Sequence, residues 1–351
     1  MGDTYASLRK KYDGFMVPAG SILIGGKDVK DDWGCSVSDI KTSVGIGRPG
    51  EASFTVGGCY NVTNHSAESA VMDGLLPGSS VEIKLGYGSS LKTVFKGYAD
   101  EVKAVLTQEN GFVFQVTASD AGKLLQESGE RIRILDCTGY SDAFSQIMAP
   151  YSGLCTSSSG EDDSNACLLH QWESDFEFIM RQLIDEVRPD WEFYISAGKA
   201  CYEKHDSSQA EILELKPGAG LNSINITKKF LHRKIQITAM DKDHGAVTAS
   251  QTAKGSRLDS SVSALTETIA SDGMKTQEEA TALAASWAAR KAWESVSGTV
   301  KTTDGLPDME IGKTLKIDDV VPGWNGLYYI RGVIHEMNSE NGFTTTVELG
   351  G

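Results

Sequence analysis

The chain has 351 residues, of which 40% are hydrophobic and 23% are charged. That composition is typical of a folded globular protein, and the length predicts two or three domains. The formal net charge of −15 opposes specific recognition of nucleic acid and adhesion to anionic lipid, because both need Lys and Arg to meet phosphates. The sequence contains no run of about 18 apolar residues, so it predicts no membrane-spanning helix. The start of the chain lacks the apolar core of a secretory signal.

The first third of the chain follows a β pattern after a short N-terminal helix or arm. Apolar and β-branched residues alternate in six segments, separated by turns that contain Gly, Asn or Pro. These predicted strands are 21–24, 36–44, 52–56, 81–87, 93–106 and 112–117. The Asn110-Gly111 pair between the last two is a strong hairpin signal. Six strands in about 100 residues predict a small barrel or sandwich.

A middle region, about 123–228, mixes helices and strands. Ser174 is the predicted N-cap of an amphipathic helix, with Glu177 completing a capping box and Pro189 ending the helix. A hairpin with its turn at Ala197-Gly198 follows. The other predicted elements are a helix from Ser141 to about 149, a polar acidic loop at 156–165, and strands at 211–215 and 224–226.

The β pattern returns from Lys229, interrupted by one helix. Thr276 and Glu279 form a capping box for it, so we predict a helical insert at about 274–294. The predicted strands are 233–239, 246–251, 295–302, 314–317, 328–337 and 343–349, with a hairpin turn at Asn341-Gly342.

The predicted fold is therefore α+β and mainly β, with two β-barrel modules flanking an α+β middle region. Four parts follow: an N-terminal arm (1–20), a first β-barrel module (21–122), the middle domain (123–228) and a second β-barrel module with the helical insert (229–351). The two β-modules are similar enough to act as pseudo-repeats, although the letters show no clean repeat.

The most metal-like residues lie around the predicted helix and hairpin of the middle region. Cys167 with His170, and Cys201 with His205, have spacings that ligand pairs use, and Cys155 is a further candidate. The usual Cys-x2-Cys motif, with two residues between the cysteines, is missing, and six scattered cysteines without a framework are typical of free thiols. We therefore predict no bound metal and no cofactor, with these residues as the candidates if a metal is present.

A set of catalytic residues is not evident in the sequence. A hydrolase needs a nucleophile with a base, or two paired carboxylates. Glu173 and Asp175 are two residues apart on the predicted helix and do not face each other. His335 lies in a strand-like apolar run, which favours a packed or interface histidine. We predict that the chain is not an enzyme.

Three stretches together resemble the family of phage late-control protein D and VgrG. The first is ESDF at 173–176 with its helix and hairpin. The second is EASFTV at 51–56, followed by LPGSSVEIKLGY at 76–87 and VFKGY at 94–98. The third runs from Ile311-Gly312 through YYIRGVIH at 328–335 to FTTT at 343–346. They cover most of the chain, and their order makes the resemblance specific.

The resemblance implies a structural baseplate hub of a contractile tail or a tail-like injection particle. In this family, three hub subunits with two barrels each form a pseudo-hexameric ring that joins a hexameric tail tube to a trimeric spike. The implied partners are a second and third copy of the chain, the tube protein, the spike protein and other baseplate proteins. The implied location is the virion tail or a phage-like particle assembled in the bacterial cytoplasm. The acidic charge then has two interpretations, solubility or a channel wall along which DNA passes without sticking.

Interface residues in such a ring are predicted at exposed sheet edges and turns. The candidate edge strands run from Ser36 to Val44 and from Arg233 to Ala239. Trp324, in the turn at 322–326, is a candidate anchor. Two other functions stay open: a tail-associated cell-wall hydrolase, and a carbohydrate-binding β-protein.

Overall fold

The computed structural model describes residues 2–61, 63, 66–67, 69–107, 111–160, 167–241, 245–253, 261–271 and 276–351. Strands account for 53% and helices for 19% of the residues, which confirms the predicted mainly β, α+β fold. The helices are α1 (Tyr5–Lys11), α2 (Ser69–Gly74), α3 (Ala121–Gln126), α4 (Tyr140–Met148), α5 (Asp175–Phe178) and α6 (Gln277–Glu294).

The strands are numbered in chain order. They are β1 (Asp3–Thr4), β2 (Pro18–Ile24), β3 (Lys27–Asp28), β4 (Ser36–Gly45), β5 (Arg48–Gly57), β6 (Tyr60–Asn61), β7 (Ser66–Ala67), β8 (Ser80–Tyr87), β9 (Ser90–Thr107), β10 (Gly111–Ser119), β11 (Arg133–Cys137), β12 (Thr156–Ser159), β13 (Cys167–Gln171), β14 (Trp191–Ser196), β15 (Lys199–Lys204), β16 (Glu211–Pro217), β17 (Gly220–Lys228), β18 (Arg233–Asp241), β19 (Gly245–Ala253), β20 (Leu265–Ser271), β21 (Val296–Thr302), β22 (Thr314–Ile317), β23 (Gly326–Asn338) and β24 (Gly342–Gly350).

The first β-module consists of six strands in the order β4-β5-β10-β9-β8-β2. All six lie where the alternating pattern predicts strands. Their apolar residues alternate with polar ones, so that one face of the sheet is buried. Asn110 of the predicted hairpin turn lies outside the described residues, but β9 and β10 pair as an antiparallel hairpin requires.

The second β-module is a closed barrel of six strands. Pairing runs around the ring from β16 to β22, β23, β24, β21, β17 and back to β16. The first two of these strands in the chain, at 211–217 and 220–228, lie in the stretch that the sequence assigns to the middle region. The hairpin turn at Asn341-Gly342 is confirmed, with Gly342 at a positive φ of 65°.

Both β-modules have the same strand order, although their first strands run in opposite directions: β2 is antiparallel to β8, whereas β16 is parallel to β22. We number the six strands of each module from one to six in chain order. In both modules strand one pairs with four, four with five, five with six, six with three and three with two. Strand β2 therefore corresponds to β16, β4 to β17, β5 to β21, β8 to β22, β9 to β23 and β10 to β24. The prediction of two similar modules holds at the level of strand order.

The middle region packs its own hydrophobic core around α4, α5 and the hairpin β14–β15. Ser174 caps α5 as predicted by accepting the N–H of Glu177, and the helix continues as a π-helix over Ile179–Asp185. The turn at Ala197-Gly198 has positive φ at both residues, as a two-residue hairpin turn requires. The predicted loop at 156–165 is wrong at its start, because Thr156–Ser159 pairs with β15 as a strand.

The insert, residues 229–295, joins β17 to β21 and is larger than one helix. Strands β19, β18 and β20 form a separate sheet, and α6 covers one of its faces to make a small core. The capping box of Thr276 and Glu279 is present as predicted. The sequence assigns 233–239 and 246–251 to the second barrel, whereas both strands pair within this sheet. Alternation identifies a strand, but it does not identify the strand's neighbour.

Two equivalent glycines provide a test of this repeat. Gly78 and Gly312 both have φ near +80° to +90°, and each donates its N–H across to the fifth strand of its own module. A Cβ at Gly78 meets nothing within 4 Å, whereas at Gly312 it would lie 2.5 Å from Tyr194 Oη. We expect Gly78→Ala to cost about 1 kcal/mol through its backbone conformation alone.

We expect Gly312→Ala to cost about 1 to 3 kcal/mol more than Gly78→Ala, because it adds overpacking to the same backbone strain. Urea unfolding of the two variants and the wild type, followed by intrinsic fluorescence, measures the difference. An equal loss of unfolding free energy in the two variants would show that Tyr194 moves away from the added methyl group at little cost.

Candidate functional site: the seam between the two β-modules

The seam is the antiparallel ladder between β4 and β23, and it joins the two β-modules into one continuous sheet. Ile40–Gly45 pairs with Met337–Gly332 in unbroken register. Both modules also contribute to one hydrophobic core. The seam therefore fixes one module relative to the other.

His335 lies at the middle of the seam and is only 2% exposed. Thr42 stands opposite it on β4 and Thr345 opposite it on β24. Its Nδ1 lies 2.9 Å from Thr345 Oγ1, which already accepts the N–H of Leu306. The Thr345 hydroxyl is thus placed to donate to an unprotonated Nδ1, which fits a neutral imidazole. The predicted packed histidine is confirmed.

Burial, followed by the charge of Lys92, lowers the pKa of His335 from 6.5 to about 3. The unfolded chain then holds the proton more tightly than the folded chain between these two values. Stability is complete above about pH 6.5 and declines as the pH falls towards 3. We expect this side chain to account for about 2 kcal/mol of the loss between pH 7 and pH 5.

The variant His335→Asn isolates this contribution, because asparagine keeps a hydrogen-bonding side chain but does not titrate. Its stability at neutral pH should be lower than that of the wild type, while its loss between pH 7 and pH 5 should be smaller. Unfolding free energies from urea titrations at both pH values give the comparison. An identical pH dependence in the two proteins would contradict a neutral buried His335.

A second polar cluster joins the middle region to the barrel and the insert. Tyr329 Oη on β23 donates to Glu192 Oε2 on β14 at 2.7 Å. His205 Nδ1 lies 3.2 Å from the other carboxylate oxygen, and its ring packs against Tyr329 and Trp293 of α6. Burial and the adjacent Glu192 raise the pKa of Tyr329. The cluster therefore connects the middle region, the second barrel and the insert. Within it the Glu192 carboxylate is bonded to both Tyr329 and His205.

Asp175 is the centre of a third network, inside the middle region, and is fully buried. Its carboxylate accepts from Arg133 at 2.9 Å, Tyr151 at 2.7 Å and Gln171 at 2.8 Å. Because a buried carboxylate is stable only with such partners, the ESDF motif has a structural explanation. Asp175 ties α5 to β11, to β13 and to Tyr151 in the turn after α4.

We expect Asp175→Asn to lower the free energy of unfolding by about 3 kcal/mol, because the amide gives Arg133 no buried counter-charge. Tyr151→Phe, the matched control, removes one hydrogen bond to the same carboxylate and should cost about 1 kcal/mol. Thermal unfolding of both variants would test this order. If Tyr151→Phe lowered the free energy of unfolding as much as Asp175→Asn, the charge of Asp175 would not be the main source of stability in this network.

A cavity of about 320 Å³ lies where the two modules and the middle region meet. The carboxylates that line it are paired with donors. Tyr194 donates to Glu203 at 2.5 Å, and Lys92 donates to Glu310 at 2.6 Å. These groups hold the three regions together, and their arrangement is that of a structural junction.

The structure does not bring the metal candidates together. Cys167 and His170 lie on β13, and Cys167 packs on the core of the middle region, as does Cys155. Cys201 is buried in the core of the β-modules, and His205 is held by Glu192. Within the described ranges, no three His, Cys, Asp or Glu residues form a group that could hold a metal ion.

The prediction that two particular strands are sheet edges is wrong. The strand from Ser36 to Val44 lies between β5 and β23, and the strand from Arg233 to Ala239 lies between β19 and β20. Backbone ladders therefore occupy both sides of 233–239 and of 40–44, while 36–39 pairs with β5 alone in the described structure. Trp324 is half-buried in the turn before β23, with Lys228 Nζ 5.0 Å from its ring centre.

A repeat in the letters becomes visible once the modules are superimposed by strand order. Residues 98–119 and 329–350 align without a gap, at a constant offset, and both contain ENGF, at 109–112 and 340–343. Tyr98 matches Tyr329, Val102 matches Val333 and Val116 matches Val347. The repeat can therefore be found from the sequence alone, by aligning the two predicted hairpins on their Asn-Gly pairs without a gap.

Comparisons with known proteins place the chain in a family. The family model described as the Alg8 N-terminal domain matches residues 16–339. The chain belongs to this family. No curated protein sequence matches it at a significant level.

Solved structures share the fold at low sequence identity. A tail protein from Neisseria meningitidis MC58 has a TM-score of 0.69 and 11% identity, covering 95% of this chain and 96% of its own. The 43 kDa tail protein of prophage MuSo2 from Shewanella oneidensis has a TM-score of 0.69 and 12% identity, covering 95% and 98%. The E. coli c3393 protein, a type VI secretion component, has a TM-score of 0.57 and 13% identity, covering 93% and 76%. No helix among the residues described is long and apolar enough to cross a membrane.

Proposed function

We propose that the chain is a structural baseplate hub of a contractile tail or tail-like injection particle. Three copies would form a ring that joins a hexameric tail tube to a trimeric spike and lines the conduit between them. The observation that carries this proposal is the repeated strand order. One chain holds two β-modules of the same strand order, fixed to each other by the seam.

Symmetry makes this arrangement useful. Three chains with two equivalent modules each present six like units to a six-fold partner, while the middle regions and inserts keep three-fold symmetry for a three-fold partner. A protein with one such module could form a six-fold ring, but it would have no three-fold surface to offer a three-fold partner. The division into arm, two β-modules and middle region is part of the proposal.

The names of the structural neighbours support a tail or baseplate role. They include phage tail proteins and a type VI secretion protein described as similar to phage T4 tail proteins. A Francisella PdpA–VgrG complex shares the fold with a TM-score of 0.58, covering 98% of this chain and 60% of that one. The resemblance to late-control protein D and VgrG points to the hub in particular, with the tube, the spike and other baseplate proteins as partners.

The proposed hub is a structural protein of the virion or particle and not an enzyme. Ionisable groups bind one another where the middle region meets the barrel and inside the middle region, as Glu192 does with Tyr329 and Asp175 with Arg133. The net charge of −15 would disfavour adhesion of DNA or another anionic cargo during passage, without specific recognition.

Light scattering coupled to size-exclusion chromatography tests the proposal directly. We expect a mass three times that of the chain, and ring-shaped particles in negative-stain images. The same measurement should be repeated with a candidate spike protein, because some rings close only on their partner. A chain that stays monomeric with spike and tube proteins present, or a clear band in a muralytic zymogram, would overturn the hub assignment.

A further inference from the structure

The repeat exposes a difference between two equivalent strands, β9 and β23. Each is a long strand whose first half pairs with the fourth strand of its module and whose second half leaves that neighbour. In β23 the freed side of the second half pairs with β4, which forms the seam. In β9 the equivalent residues, 101–106, have no ladder on that side within the described structure.

The uncovered side of β9 leaves apolar residues in solvent. Leu106 is 71% exposed, whereas its equivalent Met337 is half-buried beside Ile40. Ala104 is exposed, whereas its equivalent His335 is almost fully buried. Both β9 residues stand opposite aromatic residues of β10, so they extend the core face of the sheet to its edge. An apolar, unpaired strand edge favours pairing with another chain.

The strand that would complete this edge is also present in the chain. Strand β17 is the equivalent of β4, and from residue 222 onwards it pairs with β21 alone in the described structure. Its other side corresponds to the side of β4 that forms the seam. Ile224 and Ile226 on it are only partly buried. The two open edges belong to different modules and cannot pair within one chain, where β4 and β23 already join those modules.

We propose that residues 101–106 of one copy pair antiparallel with residues 224–229 of the next copy, repeating the seam between chains. This inference rests on the proposed ring and names its interface. The register follows from the seam, where Met337 stands opposite Ile40 and His335 opposite Thr42. Leu106 accordingly stands opposite Ile224, and Ala104 opposite Ile226.

Charge favours the same register. Asp100 and Glu101 lie at one end of the β9 edge, and Lys228 and Lys229 lie at the matching end of the β17 edge. In the proposed pairing Glu101 stands opposite Lys229. Because the two surfaces differ, the contact is head-to-tail, and it closes on itself only in a ring. Trp324 lies beside Lys228 and therefore at the margin of this interface.

Cross-linking tests the pairing without disturbing the core. Lys103 and Thr227 are exposed and stand opposite each other in the proposed register. We expect a mixture of Lys103→Cys chains and Thr227→Cys chains to give a covalent dimer with a short bis-maleimide. Lys103→Cys mixed with Thr299→Cys is the control, because Thr299 lies one strand further in, on β21. The wild-type chain treated in parallel gives the background from the native cysteines.

A charge at the edge should weaken the ring. We expect Leu106→Asp to raise the half-dissociation concentration at least about tenfold, because burial of that leucine is lost. Leu168→Asp is the matched control, since Leu168 is 64% exposed on β13, away from both edges. Its assembly should equal that of the wild type, and circular dichroism should show both variants folded.

The outcomes separate the interface from the proposed function. Three-fold assemblies that resist Leu106→Asp and give no Lys103–Thr227 dimer would overturn the edge pairing and leave the hub intact. Equal loss of assembly in both leucine variants would also count against this edge. Chains that form neither assembly nor cross-link with spike and tube proteins present would overturn both.

Discussion

The rest of the structure depends on the ladder between β4 and β23. Backbone hydrogen bonds across it hold Ile40–Gly45 to Met337–Gly332, so two modules far apart in sequence share one sheet and one core. A slip of one residue would turn His335 and Thr42 from the buried face to the outer face. Burial of alternate residues on both strands, Thr42 on β4 and His335 on β23, therefore specifies the register of the seam.

The middle region reaches both modules at equivalent places. In the first module, the turn between β4 and β5 contacts β14, where the Gly47 N–H donates to the Phe193 carbonyl. In the second module, the equivalent connection between β17 and β21 is the insert, whose Arg290 lies 2.5 Å from Asp185. The same position in the repeat is therefore a short turn in one copy and a folded unit in the other, and both rest on the middle region.

Local features of the fold were predictable from the sequence, and partners were not. Alternation located the strands of the first module, and the Ser174 and Thr276 caps marked two helices, because these signals act over a few residues. The partner of a strand depends on residues hundreds of positions away. Hence the sequence assigns the strand at 233–239 to a barrel that it does not enter, and it predicts a sheet edge for the strand starting at Ser36. The shared ENGF at 109–112 and 340–343 was visible in the letters, but only a comparison that holds the two hairpins in one register detects it.

The position of the insert is consistent with assembly through strand edges. The insert leaves and returns at one point, where the Lys229 N–H donates to the Ser295 carbonyl at 2.7 Å, so the barrel closes as if the connection were a short turn. Such an insertion costs little, because loop closure depends weakly on length once the ends are held together. In the proposed ring it would add a three-fold feature at the end of the barrel strands. From residue 222 onwards, the side of β17 that faces away from β21 keeps its backbone donors and acceptors unpaired within the described residues. In the proposed closed ring those groups would pair with a strand from a neighbour.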